Sequence, residues 1–322
     1  PRGEPPILLS GGSLIVGGAA RADLISPALT DELTRCQFRT LKDAFAGLSD
    51  DTRLYPTHGG GSFCSAVASG ERTSTLGRER ASNPLLAFSG EEEFVRWFPT
   101  TFPNAPDYFF EMRPINQAGP RLRREIVDPR PLPPDEFNAL ISASLVVDTR
   151  PIQEYQQSHI PNSLSIAFRP SFATWLGWLV LLGTPLLFVI GDEPLDRVIE
   201  ESLLVGQENF VGWLEGGMQT WDHAGLPTRE TRSIRPDEAR RLLRDGVAVL
   251  DVREPSEFET GHVHQAINMP LGSLPKSFAS VPAGAPLIAY CGHGERSTTG
   301  ISLLERKGIE AWNLEGGFGA WR

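Results

Sequence analysis

Cysteine is scarce in this chain: of 322 residues only Cys36, Cys64 and Cys291 carry a thiol. Three is odd as well as few, which excludes a disulfide scaffold and fits a reducing compartment, so a cytoplasmic location is expected. Basic side chains are also in deficit, 30 against 40 acidic, leaving a formal net charge of −10. A surface of that sign repels phosphate backbones, so general nucleic-acid binding is disfavoured. Long apolar runs are missing except for one. Phe172 to Ile190 passes nineteen residues without a charge, and a membrane helix needs about 20. Gly183-Thr184-Pro185 interrupts the run, and proline disfavours helix at the residue before it. The stretch therefore reads as a buried helix, a turn and a buried strand, with no membrane span. No secretory signal is visible, and residue 1 is Pro rather than Met, which leaves open a leader removed or omitted.

Glycine and proline, by contrast, are plentiful, at 32 and 27 residues. The length alone suggests about two domains. An internal repeat at a spacing of about 100 residues changes that count. Leu145 to Ile160 (LVVDTRPIQEYQQSHI) matches Ala248 to Val263 (AVLDVREPSEFETGHV), aligning Asp148 with Asp251, Arg150 with Arg253, Glu154 with Glu257 and His159 with His262. Further on, Pro185 to Asp192 matches Pro286 to His293, and Trp213 to Trp221 matches Asn313 to Trp321. Short β-rich runs alternate with helix-like segments, which implies a parallel sheet covered by helices. Pro236-Asp237-Glu238 starts one helix and Gly246 closes it; Thr298 to Lys307 forms another, stopped by Gly308. The proline-rich stretch Asp128 to Phe137 and the polar stretch His223 to Ser233 act as linkers. Three regions are expected: 1–120, 121–228 and 229–322.

The chemistry concentrates in CGHGERS, Cys291 to Ser297. A strand delivers Cys291 to its C-terminal end, and a loop with two glycines leads into a helix. Ligands bind at this edge of open parallel sheets. Glycines let successive backbone N–H groups turn around the sulfur, the helix N-terminus adds positive potential, and Arg296 adds a cation; all three hold negative charge on sulfur. Such a thiolate can attack a sulfane sulfur and carry it as a persulfide. The competing reading makes Cys291 a small buried hydrophobe; its strand-end position, the glycine spacing and Arg296 argue for catalysis.

These residues resemble the rhodanese family of sulfurtransferases. The matching features are Asp251-Val252-Arg253-Glu254, Glu257-Phe258, Gly261-His262-Val263, Asn268-Met269-Pro270, the loop Cys291 to Arg296 and the turn Leu314-Glu315-Gly316-Gly317. The resemblance covers both copies. It implies that Cys291 is the persulfide carrier, and that Arg296 at the loop end helps hold an anionic donor. It further implies that Gly292, His293, Gly294, Glu295 and Ser297 line the substrate, with Asp251 and Arg253 supporting the site. Related phosphatases have five residues between the cysteine and the arginine; here there are four, which fits sulfur transfer. Glu295 partly offsets Arg296, so thiosulfate, glutathione persulfide and polysulfide all remain as donors, with a thiol or cyanide as acceptor. Copy one has Ile190 at the nucleophile position, followed by Gly191-Asp192-Glu193-Pro194, and is expected to be non-catalytic. His262 and His264 form an H-x-H pair, but His159 stands opposite His262 in the same turn, which favours a structural hydrogen bond over a metal.

Residues 7–18 (ILLSGGSLIVGG) followed by Arg21 and Asp23, the helix pattern Ala28 to Leu48 (Cys36 in its helix-like stretch Asp31 to Phe45) and the run Thr52 to Cys64 with Tyr55-Pro56-Thr57-His58-Gly59 come first in the chain. Together with Ser74 to Arg80 and Asn83-Pro84 they resemble the C-terminal half of a metallo-β-lactamase-fold domain, of the persulfide dioxygenase kind fused to rhodaneses. The whole chain then reads as α/β, with two rhodanese-like parallel-sheet domains after a partial metallo-β-lactamase-like αββα region. The family's first metal motif, H-x-H-x-D-H, is absent, and Gly11-Gly12 stands where Gly-Asp would supply a carboxylate. One histidine cannot hold iron or zinc, which needs about three protein ligands. No cofactor is expected in this chain; iron or zinc would enter only with a preceding N-terminal half. Half of such a fold leaves an apolar sheet face bare, to be covered by preceding sequence, a second copy or a partner chain. Two alternatives stand beside sulfur transfer: a persulfide dioxygenase–rhodanese fusion whose iron site lies outside this sequence, and a sulfur carrier or docking module that turns over poorly.

Overall fold

The computed structural model describes residues 3–59, 65–66, 70–282, 284 and 286–322. The chain divides into two compact units, Pro1–Ala105 with Phe109–Ala118, and Pro106–Tyr108 with Gly119–Arg322.

In the first unit, β1 (Ile7–Gly11) lies parallel to β3 (Arg53–Pro56), which pairs antiparallel with β5 (Ser74–Thr75). A short ribbon joins β2 (Ala19–Ala20) to β4 (Ser65–Ala66). Alternation along the strands assigns their faces. Leu54 is fully buried with Leu14, Phe38, Leu76, Phe94 and Phe98, while Ile7, Leu9 and Tyr55 on the opposite face are 55%, 79% and 39% exposed. Helices Thr30–Arg39 and Glu91–Trp97 cover the buried face, joined by a Phe38–Phe94 ring contact at 5.4 Å and by ion pairs from Arg35 and Arg39 to Glu91. The single helix expected from Asp31 to Phe45 is broken: the α-helix ends at Arg39, and Thr40–Ala44 forms a wider π-type turn. One bare apolar face is the shape that half of a two-sheet sandwich leaves.

The second unit holds the two copies as two five-stranded sheets, every pairing parallel. Copy one contributes β6 (Arg130–Leu132), β7 (Leu145–Asp148), β8 (Leu164–Ser165), β9 (Leu186–Val189) and β10 (Phe210–Leu214), in the order β6-β10-β9-β7-β8. Copy two contributes β11 (Ser233–Ile234), β12 (Val249–Asp251), β13 (Ile267–Asn268), β14 (Leu287–Tyr290) and β15 (Ala311–Leu314), in the same order. The run 172–190 folds as helix Phe172–Leu179, a turn with Gly183 at φ +80°, and β9, whose side chains are all buried. Among the described residues no helix is long and apolar enough to cross a membrane.

Each copy carries the same clamp at the end of its second strand. Arg253 donates from Nε and its terminal nitrogen to the two oxygens of Asp251 at 2.9 and 2.6 Å, and onward to the Gly261 carbonyl at 2.8 Å. Arg150 repeats this on Asp148 at 2.9 and 2.6 Å, ending on the Ser158 carbonyl at 2.8 Å. Both pairs are buried, so the charges survive only because nearly every donor and acceptor is used. The turn histidines are structural, as expected: His159 Nδ1 lies 2.8 Å from the Tyr155 carbonyl and His262 Nδ1 lies 3.0 Å from that of Phe258, each ring stacked on that residue's own ring.

Candidate active site around Cys291

Strand β14 is buried along its length and ends at Tyr290, so the next residue emerges at the C-terminal edge of the sheet. Cys291 is 2% exposed and packs beside the apolar cluster of Val252, Met269 and Ile301. A cysteine serving only as filler would face carbon alone. Here the Gly294 N–H donates to Sγ at 3.1 Å. Gly294, at φ +107°, caps helix Glu295–Glu305 in a conformation that L side chains rarely adopt. The helix therefore starts three residues earlier than the expected Thr298, and Glu295 and Arg296 belong to its first turn rather than to a loose loop. Its N-terminal partial positive charge faces the sulfur side of the loop.

The loop is held from behind by the turn after β15. The Phe318 and Gly319 N–H groups donate to the carbonyls of Cys291 and Gly292 at 2.7 and 3.0 Å. Gly317 makes this approach possible: it sits at φ +58°, and a Cβ there would stand 2.4 Å from the Cys291 carbonyl oxygen. The LEGG turn thus presses its backbone directly against the loop.

Side chains close the site unevenly. Ser297 Oγ lies 3.7 Å from Sγ and donates to Asn313 Oδ1 at 2.6 Å. A hydroxyl has one proton, and the shorter bond to Asn313 takes it, which leaves a lone pair toward the sulfur. Arg296 forms a fork with Glu257, at 2.6 and 2.8 Å. That bond holds the Glu257 carboxyl below the usual carboxylate range against the opposing effect of burial, and raises the Arg296 guanidinium in turn. Desolvation pushes the neighbouring Glu254 carboxyl up, reinforced by the charge of Glu257 and opposed by Arg296. Glu295 pairs with Arg169 of copy one. His293 is exposed, with its ring beside Gly319. Asp251 and Arg253 sit one strand over, in the clamp described above. The structure thus gathers Cys291, Gly294, Arg296 and Ser297 at the sulfur side, places Glu295 toward copy one, and leaves His293 outward.

Glu257, Asn313 and Arg169 were not among the expected site residues. Glu257 and Asn313 stand inside repeated blocks, where a counterpart in copy one (Glu154, Trp213) disguises them. Arg169 comes from the other copy, and a linear reading has no signal for it.

Copy one's corresponding loop is filled by its own chain. Ile190 occupies the nucleophile position, and the Glu193 carboxylate folds back to accept from the Thr149 hydroxyl, close against Gly191. Helix Glu295–Glu305 of copy two is buried from Ser297 to Leu304 and bonds to copy one along its side. Ser165 N–H donates to Ser302 Oγ at 3.1 Å, Gln156 Nε2 to Thr298 Oγ1 at 2.7 Å, and Glu305 receives Asn162 N–H at 2.8 Å and meets His159 Nε2 at 3.1 Å.

Among the described residues the metal ligands of the metallo-β-lactamase fold are not assembled: no three of His, Cys, Asp or Glu group to hold an ion. His58 Nδ1 is buried without a hydrogen-bond partner, but Gly11 and Gly12 offer it no second ligand, so these residues do not fit a metal. Cys36 is exposed, and Cys64 lies outside the described residues.

Comparison with known proteins agrees with this geometry. The rhodanese-like domain family matches residues 133–224 and 235–322, together more than half of the chain. Thiosulfate sulfurtransferase GlpE of Stutzerimonas stutzeri is 33% identical over 92 residues, 28% of this chain and 84% of that protein; its namesake from Pseudomonas aeruginosa strain LESB58 is 32% identical over 90 residues, 28% and 82% respectively. A metallo-β-lactamase from Staphylococcus aureus is similar in fold, with TM-score 0.52 and 22% identity over 66% of this chain. This chain spans 58% of that structure's length. The first unit carries part of a metallo-β-lactamase-like fold, and with its two matched domains the chain belongs to the rhodanese family.

Proposed function

We propose that the protein is a sulfurtransferase in which Cys291 carries sulfane sulfur between a small-molecule donor and a thiol or cyanide acceptor. The observation that carries this reading is the buried Sγ at the end of β14, taking a backbone N–H at 3.1 Å beside a helix N-terminus. With thiosulfate as donor, the Cys291 thiolate attacks the outer sulfur. A new S–S bond forms to Cys291, the old S–S bond breaks, and sulfite leaves with its electron pair. An acceptor thiolate then attacks the outer persulfide sulfur, forming a new persulfide and returning the Cys291 thiolate. Net charge is conserved in both steps, and no cofactor enters. Amide and helix-end dipoles stabilise the negative sulfur in each state. Arg296, already forked to Glu257, supplies the cation for an anionic donor. Copy one, with Ile190 and the folded-back Glu193, supports the loop without reacting. GlpE's name supplies thiosulfate as the first donor to try, with persulfides and polysulfides next.

Intact mass after incubation with each donor tests this directly. Roughly 32 Da, one sulfur atom, should appear on Cys291 and disappear on adding cyanide or thiol. The Cys291→Ser protein should take up none and form no thiocyanate. Undiminished turnover in that variant would overturn the proposal.

A further inference from the structure

The two copies are related by their repeat, yet at one place they differ in a way that reaches the Cys291 loop. After β8 the backbone of copy one is pinned by Ile166 N–H to the Asp148 carbonyl at 3.0 Å and by Phe168 N–H to the Thr149 carbonyl at 2.8 Å. Copy two has the same two bonds, Met269 to Asp251 at 2.8 Å and Leu271 to Val252 at 3.1 Å. The next residue is Arg169 in copy one and Gly272 in copy two. Gly272 is covered by the Trp178 ring, so that position carries no charge. Arg169 instead extends over the first turn of helix Glu295–Glu305. Its Nε donates to Ser171 Oγ at 3.0 Å, which sets the plane of the guanidinium, and its terminal nitrogen pairs with Glu295. Arg169, Glu295, Arg296 and Thr299 line one cleft, floored by Ile166 and Trp175.

Charge at this cleft is balanced by two pairs. Arg296 is matched by Glu257 from copy two; among the described residues Glu295 is matched from copy one, by Arg169. Without Arg169, the loop that must admit an anionic donor would present an unmatched carboxylate one residue from Arg296. We propose that Arg169 is a positioning residue of the catalytic site, supplied from copy one: by neutralising Glu295 it sets the potential at the mouth of the Cys291 loop, and so determines how well anionic donors enter. This assigns copy one a share in donor selection, and rests on the sulfur-transfer reading above. Both side chains are partly exposed, 37% for Arg169 and 44% for Glu295. The effect is therefore one of local potential rather than of fold stability.

The test uses the full chain with two readouts. In the first, Cys291 is alkylated by iodoacetate, an anion, and by iodoacetamide, which is neutral, and the rate ratio is followed by peptide mass. Arg169→Gln should lower the anion-to-neutral ratio by about threefold or more, and Glu295→Gln should raise it by a similar factor, as an unmatched charge at the start of the helix would. The double variant should return near the native ratio, Arg169→Lys should preserve it, and the differences should shrink in 1 M salt, where the Debye length is about 3 Å. In the second readout, KM for thiosulfate should rise in Arg169→Gln and fall in Glu295→Gln, with the change in KM larger than that in kcat. If the pair were merely structural, both single variants would shift in the same direction; that result, or no shift in either, overturns the proposal. So does an altered alkylation ratio with an unaltered thiosulfate KM. Failure of the native protein to take up sulfur from any donor would overturn the proposed function instead, and the alkylation arm would still decide what Arg169 does.

Discussion

Gly317 and Gly217 form a matched pair that separates two causes of damage. Both lie in the left-handed region, at φ +58° and +60°, in the second glycine of their copy's LEGG turn. A left-handed alanine costs roughly 1–2 kcal/mol wherever it stands. Beyond that the two positions diverge. A Cβ at 317 would meet the Cys291 carbonyl oxygen at 2.4 Å and that of Gly292 at 2.7 Å, whereas a Cβ at 217 would meet only the Ile190 oxygen, at 3.9 Å. Reaching an ordinary contact of 3.4 Å demands a movement of about 1 Å between the turn and the Cys291 loop, and such overpacking costs roughly a further 1–3 kcal/mol. The Cys291 carbonyl is also the acceptor for Phe318 N–H, so the displaced loop loses its brace. Gly217→Ala should therefore lose about 1–2 kcal/mol and keep its activity. Gly317→Ala should lose about 2–5 kcal/mol and up to about a hundredfold in rate, since a misplacement of about 1 Å can cost that much. Parallel denaturant titrations and single-turnover sulfur loading of Cys291 measure both quantities. If Gly317→Ala loads sulfur at the native rate, the LEGG turn does not set the loop geometry and the reasoning fails.

Three other changes probe the frame. Asp251→Asn breaks a fully buried pair and strands the Arg253 guanidinium, so it should destabilise by about 3–5 kcal/mol; Asp148→Asn, in the copy without a nucleophile, should cost as much by the same denaturant assay. Glu305, at the junction of the copies, is held below the usual carboxylate range: burial pushes it up, but the bonds from His159 and Asn162 N–H outweigh that. Its contribution is therefore present above the ordinary glutamate pKa of about 4.3 and lost as pH falls through its lower folded value. Acid unfolding of native protein and Glu305→Gln should accordingly converge as pH drops below that range, and a constant gap would contradict it. Asn313→Ala removes the acceptor of the Ser297 hydroxyl, leaving that proton free to turn 3.7 Å toward Sγ. About 1–3 kcal/mol of stability should go with the lost bond, and the pH profile of sulfur loading should shift.

What the sequence made legible follows the range over which each feature is encoded. The sheets announced themselves because β7 and β12 are short apolar runs ending in Asp148 and Asp251, and because the repeat shows each pattern twice. Pro185 was enough to split the apolar run at 172–190 into a helix and β9. The sequence suggests a start at Thr298 for helix Glu295–Glu305 because its cap is Gly294 in a left-handed conformation, and composition does not reveal that angle. The break at Arg39 is equally silent, since Thr40–Ala44 reads as continuous helix. Within the site, Cys291 and Arg296 are neighbours in the chain and were found together. Glu257 lies 39 residues from Arg296, and Arg169 reaches Glu295 from another copy; only folding brings them there.

The duplication itself separates frame from chemistry. Both copies keep the Asp–Arg clamp to within 0.1 Å in its main bonds, 2.9 and 2.6 Å in each, and both keep the stacked histidine turn and the left-handed glycine pair. A buried ion pair of that kind costs desolvation whichever copy holds it, so its presence in copy one is explained by the turn it ties, not by any reacting group nearby. Where copy one differs is local to its strand end: Ile190 instead of a thiol, Leu195 five positions later instead of an arginine, and the Glu193 carboxylate folded into the loop. Copy one supplies the Ser165, Gln156 and Asn162 bonds that bury the helix behind Cys291. A reactive loop needs its helix N-terminus fixed to within a fraction of an ångström, and copy two alone would leave one side of that helix to solvent.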